Sequence, residues 1–203
     1  MNLSAVILAG GESRRMGRDK AWVELDGQPL IKLALAKIRR LGVEEIFISG
    51  RPGEDYSGLK CPVLTDLEPG YGPLGGIERA LCSCTMPLLL VLAVDLPHMT
   101  SGYLERLARQ CEPWVGVVPQ RDGGLEPLAA IYPQRCHAIL RDFIAQSRRV
   151  ARDFAEACLR AGAVKTWPVP KGEADCFTNW NQPGDMARPG QRPKNLATKK
   201  ETL

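Results

Sequence analysis

Short apolar runs alternate with stretches whose apolar positions recur every three or four residues, and the alternation continues along most of the chain. Residues 4–8 (Ser-Ala-Val-Ile-Leu) are too short a run for a helix and are apolar on both faces, the pattern of a strand buried in a parallel sheet. Leu30, Ala34, Ile38 and Leu41 then fall at helical spacing and predict a helix over 29–41, stopped by Gly42. Strands follow over 45–49 and 61–64, and a helix over 75–84. Residues 88–94 (Leu-Leu-Leu-Val-Leu-Ala-Val) predict a central strand, again apolar on both faces. A helix over 101–110 has Ser101 as its N-cap. Strands over 114–118 and 127–132, helices over 133–146 and 151–161, and a strand over 163–168 complete the series. Strands separated by helices imply an α/β, doubly wound, mostly parallel sheet with helices on both faces. The 203 residues fit a single domain, assigned to 1–186. From Ala187 the chain is polar and proline-rich, so 187–203 is expected to be a disordered tail.

Composition narrows the class without naming a chemistry. A hydrophobic content of 44% and a charged content of 25% are ordinary for a globular protein. The net charge of +4 is mild, and its cations gather at one loop rather than along a stripe, so no nucleic-acid partner is expected. The run 88–94 is far too short to cross a bilayer, and no membrane partner is expected. Seven cysteines are an odd number, and Met1-Asn2-Leu3-Ser4 enters the first strand at once; both favour free thiols in a reducing cytoplasm. Cys82-Ser83-Cys84 has no second pair at zinc-ligand spacing.

The chemistry enters where the first strand ends. Leu8-Ala9-Gly10-Gly11 runs into Glu12-Ser13-Arg14-Arg15-Met16-Gly17-Arg18-Asp19-Lys20. Gly10 and Gly11 have no Cβ, so their N–H groups can approach a ligand closely. Arg14, Arg15, Arg18 and Lys20 put four cations within seven residues. Amide dipoles and side-chain cations together suit a polyphosphate. The loop is neither of the common phosphate motifs. Gly17 is followed by Arg18-Asp19-Lys20 and not by the Lys-Ser/Thr of a Walker A loop, and Gly-x-Gly-x-x-Gly is absent.

Doubly wound sheets bind ligands beyond the carboxyl ends of their strands, where the strand order reverses. In a 3-2-1-4 order the strands over 4–8 and 88–94 flank that crevice. Asp95, in Asp95-Leu96-Pro97, therefore stands beside the phosphate loop. A carboxylate among phosphates needs a cation, and Mg²⁺ takes one or two carboxylates with phosphate oxygens and water. Asp95 is the candidate metal ligand; a strand-end Asp capping the turn at Pro97 is the alternative. Asp66 follows the third strand, where a carboxylate can bind a ribose hydroxyl or a metal-bound water. Gly70, Gly72, Gly75 and Gly76 follow at the start of the next helix.

These residues resemble the signature of nucleotidyltransferases that move a nucleoside monophosphate onto a phosphate, Leu-Ala-Gly-Gly-x-x-x-Arg-Met-Gly-x-x-Lys. Leu8 to Gly11, Arg15-Met16-Gly17 and Lys20 fill every fixed position. With Asp66 before Gly72-Pro73-Leu74-Gly75-Gly76, Asp95-Leu96-Pro97, Glu126-Pro127-Leu128 and Phe177-Thr178-Asn179-Trp180-Asn181, the chain is similar to the molybdenum cofactor guanylyltransferases over residues 3–186. The resemblance implies a Rossmann-like fold and attack of molybdopterin phosphate on the α-phosphorus of Mg-GTP. It implies nucleotide binding by Leu8, Ala9, Gly10, Gly11, Lys20, Ser49, Asp66 and Asp95, with Arg15, Lys20 and Asp95 catalytic and Mg²⁺ on Asp95. Asn179 and Asn181 would meet the acceptor. By position alone, Arg148 and Arg149 before a helix could reach its phosphate, and Trp180 could stack on the pterin. Solvated arginines, a packed tryptophan and a self-bonded Asn turn explain the same residues without a ligand. Ser49 stands where many relatives carry Asn, and Gln182 where they carry Thr. Molybdoenzymes or their chaperones are candidate recipients of the product. A cytidylyltransferase on the same pterin, another small NTP transferase and a non-catalytic nucleotide-binding regulator are the competing readings. His98 and His137 stand in no motif and read as structural or surface residues.

Overall fold

In the computed structural model, residues 2–10, 19–65 and 70–180 are described. The chain runs through β1 (Leu3–Leu8), a 3₁₀ turn (Lys20–Trp22), β2 (Glu24–Leu25), β3 (Gln28–Pro29), α1 (Leu30–Arg39), β4 (Ile46–Ser49), a 3₁₀ turn (Ser57–Leu59) and β5 (Val63–Leu64). It continues through α2 (Pro73–Ser83), β6 (Leu88–Ala93), α3 (Ser101–Arg109), β7 (Gly116–Arg121), β8 (Gly124–Leu125), β9 (Ala129–Pro133), α4 (Cys136–Ala145), α5 (Ala151–Arg160), β10 (Val164–Pro168) and a last 3₁₀ turn (Ala174–Phe177). The main sheet has the order β10-β7-β9-β6-β1-β4-β5, with β8 paired to β7. Its β5-β4-β1-β6 portion is the expected 3-2-1-4 arrangement. β1 lies parallel to β4 and to β6, whereas β9 runs antiparallel to β6 and β7.

Alternate residues of each strand feed two cores. Ala5, Ile7, Ile48, Leu90 and Leu92 pack under α1 and α3, against Ile31, Leu35, Ile38, Leu104 and Leu107. Val6, Leu8, Phe47, Leu89 and Val91 pack on the other face, against Leu74, Ile77 and Leu81 of α2, Leu140 and Phe143 of α4, and Phe154 of α5. Burial on both faces is why the strands read as unbroken apolar runs. Among the described residues, no helix is long and apolar enough to cross a membrane. The seven cysteines are free thiols.

Several boundaries differ from the sequence reading for local reasons. Asp26 and Gly27 have φ of 52° and 76°, the two-residue turn of a small β2–β3 hairpin within a stretch that carries too few apolar positions to show periodicity. α2 starts two residues earlier than expected because Pro73 occupies its first turn, where no N–H is needed. β7 begins at Gly116 and not at 114, since Trp114 takes φ of 66°. Pro133 ends β9 rather than opening α4, which starts at Cys136. The tail 187–203 and the end of the 1–186 domain lie outside the described residues.

Gly116 carries β7 across β9. A Cβ there would overlap the Ile131 carbonyl oxygen, which belongs to backbone and cannot swing aside. Gly116→Ala is expected to lower the unfolding free energy by about 1–3 kcal/mol through overpacking. Gly58→Ala, where an added methyl meets nothing within 4 Å, stays within about 0.5 kcal/mol of the parent. Urea unfolding of the two variants checks the contrast.

Candidate active site

The crevice is built by strand ends that continue to bond past the sheet. Val94 donates its N–H to the Leu8 carbonyl at 3.1 Å, and Gly50 donates to Leu64 at 3.2 Å. The Ser49 carbonyl accepts from both Ala9 and Gly10 at 2.9 Å. Leu8, Ala9, Gly10 and Ser49 thus form one floor. In this arrangement the Gly10 amide is engaged by Ser49. The Ser49 side chain is buried and lies where a Cβ on Gly76 would stand, so the first turn of α2 rests directly on the end of β4.

Two charged side chains meet over this floor. Lys20 Nζ donates to Asp95 Oδ2 at 3.0 Å across 75 residues of sequence. The side chains are only 13% and 25% exposed, so solvent screens the pair less than it screens a surface ion pair. Lys20 opens a 3₁₀ turn whose N-cap is Asp19, and Asp95 directly follows β6 and Val94. Lys37 Nζ donates to the Pro97 carbonyl at 2.6 Å and fixes the turn after Asp95; burial lowers its pKa.

Asp19 and Tyr56 belong to the same region although no motif marks them. Asp19 is buried; its Oδ1 accepts the Ala21 N–H at 3.0 Å and its Oδ2 accepts the Tyr56 hydroxyl at 2.8 Å. The phenol oxygen accepts the Arg51 N–H at 3.2 Å. Burial, with the neighbouring Asp19 adding to it, pushes the Tyr56 phenol up to about 12. A Cβ on Gly50 would collide with the Tyr56 ring, which is why glycine follows Ser49. The sequence held only a weak signal for Asp19, an N-cap residue type before a short turn. It held none for Tyr56, whose partner is 37 residues away.

The segment after β10 returns to the crevice. Phe177 packs edge-on to Tyr103 at 5.3 Å, and the Trp180 N–H donates to the Asp95 carbonyl at 3.0 Å. Asn179 is exposed beside that contact. The Trp180 ring meets His98 edge-on at 5.9 Å. Arg148 lies over Phe143 and reaches Asp153 at 3.4 Å, while Arg149 lies over Tyr71 at 5.4 Å. His137 pairs with Glu78 between α4 and α2 at 2.8 Å. Arg121 and Glu126 pair at 3.1 Å near the same end of the sheet; burial holds the Glu126 carboxyl above its usual range against the lowering effect of Arg121. Gly11, Arg15, Asp66 and Asn181 lie outside the described residues. Leu8, Ala9, Gly10, Lys20, Ser49 and Asp95 are brought together, with Asn179 next to the Trp180–Asp95 contact.

Residues 5–161 match the MobA-like NTP transferase domain family. The chain belongs to that family. It is therefore a nucleotidyltransferase with the Rossmann-like fold of its structural neighbours. It is 36% identical over 207 residues to the molybdenum cofactor guanylyltransferase of Rhodobacter capsulatus, covering 97% of this chain and all of the relative. A relative from Opitutus terrae, named a probable molybdenum cofactor guanylyltransferase, is 34% identical over 189 residues, with 92% and 94% covered. The crystal structure of molybdopterin-guanine dinucleotide biosynthesis protein A from Archaeoglobus fulgidus superposes with a TM-score of 0.71 at 27% identity, covering 90% of this chain and 94% of that one. The 2-C-methyl-D-erythritol 4-phosphate cytidylyltransferase of Thermus thermophilus shares the fold, with a TM-score of 0.68 at 21% identity over 92% of this chain and 96% of that one.

The Ser49–Gly76 contact is a size match that can be tested. Gly76→Ala is expected to cost about 1–3 kcal/mol of stability by overpacking against Ser49. Ser49→Gly in the same chain restores part of that loss, because it removes the atoms the new methyl meets. Chemical denaturation of the single and double variants measures the coupling.

Proposed function

We propose that this protein transfers GMP from Mg-GTP to the phosphate of molybdopterin, releasing pyrophosphate and forming molybdopterin guanine dinucleotide. The observation that carries the reading is the Lys20–Asp95 pair at the strand-end crevice, in a chain whose family transfers nucleotides and whose relatives are named guanylyltransferases. An acceptor phosphate oxygen forms a bond to the α-phosphorus. The bond from that phosphorus to the bridging oxygen of the β-phosphate breaks, and its electron pair leaves with pyrophosphate. The nucleophile is already an anion, so the site needs no strong base. It needs alignment and charge neutralisation.

Each residue then has a physical task. Lys20 offsets charge on the α-phosphate and on the departing pyrophosphate, and Arg15 in the preceding loop joins it. Leu8 to Gly11 bring backbone close to the nucleotide, and Asp66 contacts the ribose. Asp95 would hold Mg²⁺. Its carboxylate is a hard oxygen donor, partly exposed at the strand end. Among the described residues no group of three or more His, Cys, Asp and Glu side chains is placed to hold a metal. One carboxylate nevertheless suits Mg²⁺, which takes most of its ligands from phosphates and water. When bound, the ion neutralises the triphosphate and polarises its oxygens. Asn179 and Asn181 meet the acceptor.

Pyrophosphate release with each of the four NTPs tests this reading. Turnover with GTP and molybdopterin alone supports it. Turnover with CTP points to the cytidylyltransferase, and turnover with no NTP to a binding protein. Lys20→Ala is expected to lower kcat about a hundredfold, on the order of 3 kcal/mol of transition-state stabilisation. Asp95→Ala is expected to abolish Mg²⁺-dependent turnover, measured across a magnesium titration. Thermal shift gives a second readout, with the melting temperature rising as the logarithm of GTP concentration above its Kd in the presence of Mg²⁺.

A further inference from the structure

Among the described residues, Lys20 is held from two sides. On one side is Asp95, at the end of β6. On the other is a bridge that starts at the end of β4. The Arg51 N–H donates to the Tyr56 phenol oxygen, the phenol donates to Asp19 Oδ2, and Asp19 Oδ1 accepts the Ala21 N–H that closes the Lys20 turn. Both oxygens of a buried carboxylate are therefore committed to directional bonds, one to the turn that carries the lysine and one to the phenol. Hydrogen bonds to an ionised group are stronger than neutral ones, and losing one inside the protein leaves the remaining partner unsatisfied.

The phenol has no freedom to leave this bridge. Tyr56 is 2% exposed. Its ring fills the space over Gly50 and stacks on Trp22, with centroids 5.9 Å apart and planes inclined by 19°. Trp22 belongs to the same 3₁₀ turn as Lys20, so the ring fixes that turn by packing and the hydroxyl fixes it by bonding. Burial keeps the hydroxyl protonated, and hence a donor, throughout the neutral range. The ring stack and the two Asp19 bonds together hold the turn from which the Lys20 side chain extends.

We propose that Tyr56, acting through Asp19, is a positioning residue for nucleotidyl transfer, and that its hydroxyl sets Lys20 over the Asp95 crevice. The inference rests on the reading of Lys20 as the cation that acts on the triphosphate. A lysine acting mainly in the transition state loses rate rather than ground-state affinity when it is misaimed.

Tyr56→Phe in the full chain keeps the ring, its stack on Trp22 and its seat over Gly50, and removes only the hydroxyl. GTP-dependent pyrophosphate release is expected to show kcat lowered about tenfold with KM for GTP within about twofold, the scale of one hydrogen bond to a charged group. In a Lys20→Ala background the same change is expected to cost nothing further, since the residue it serves is gone. Hydrogen exchange of the Ala21 amide is expected to quicken about tenfold in Tyr56→Phe, while α1 exchanges as before. Asp19→Asn, which weakens the acceptor without emptying the site, gives the same kcat split should Tyr56→Phe not fold.

Full kcat in the folded variant, an equal loss in the Lys20→Ala background, or unchanged exchange at Ala21 each overturns the proposal. A parent protein inactive with every NTP overturns the functional reading instead. The Ala21 exchange result still decides whether the bridge exists.

Discussion

β1 and β6 lie in parallel register over six residues, from Leu3 opposite Leu88 to Leu8 opposite Ala93. That pairing puts the ends of the two strands side by side, and the Val94–Leu8 bond extends it one step beyond the sheet. In sequence, Lys20 follows the end of β1 and Asp95 the end of β6. Without this register Lys20 and Asp95 would be distant charges on separate segments. A one-residue slip would also turn each strand's two apolar faces to the wrong core. The same hydrophobic pattern thus secures both stability and the site.

The crevice shows a division of labour between rigid and committed parts. Apolar strands and the helices above them fix the floor to which Ala9, Gly10 and Ser49 belong. Charged groups stand on short turns at its rim, each tied down by a directional bond. Lys37 holds the turn after Asp95, Asp19 holds the turn of Lys20, and Trp180 closes on the Asp95 carbonyl. Phosphate chemistry asks for preorganised charge more than for reactive side chains. That accounts for a family site with no histidine, cysteine or serine nucleophile among its candidate residues. His98 and His137 are used in packing and pairing instead.

Glycines mark the places where two pieces of backbone or a ring come too close for a side chain. Gly50 yields to Tyr56, Gly76 to Ser49 and Gly116 to the Ile131 carbonyl. The first two lie around the end of β4, where the floor of the crevice meets α2. At Ser49 the hydroxyl is buried under Gly76, so its steric size matters to the seating of α2.

The order of strands and helices, the reversal of strand order beside β1, and the residues of the phosphate signature were legible in the sequence. They depend on local periodicity and on short motifs, and local patterns survive without knowledge of partners. The antiparallel course of β9, the small β2–β3 hairpin and the start of β7 were not, because they depend on which neighbour each segment finds and on single residues with positive φ. At the site, the sequence by itself determined that Lys20 and Asp95 are present at strand-end loops. Only the tertiary structure decided that they touch, and that Tyr56 and Asp19 brace the lysine. The reason is physical: a hydrogen bond between residues 37 or 75 positions apart leaves no periodic trace along the chain.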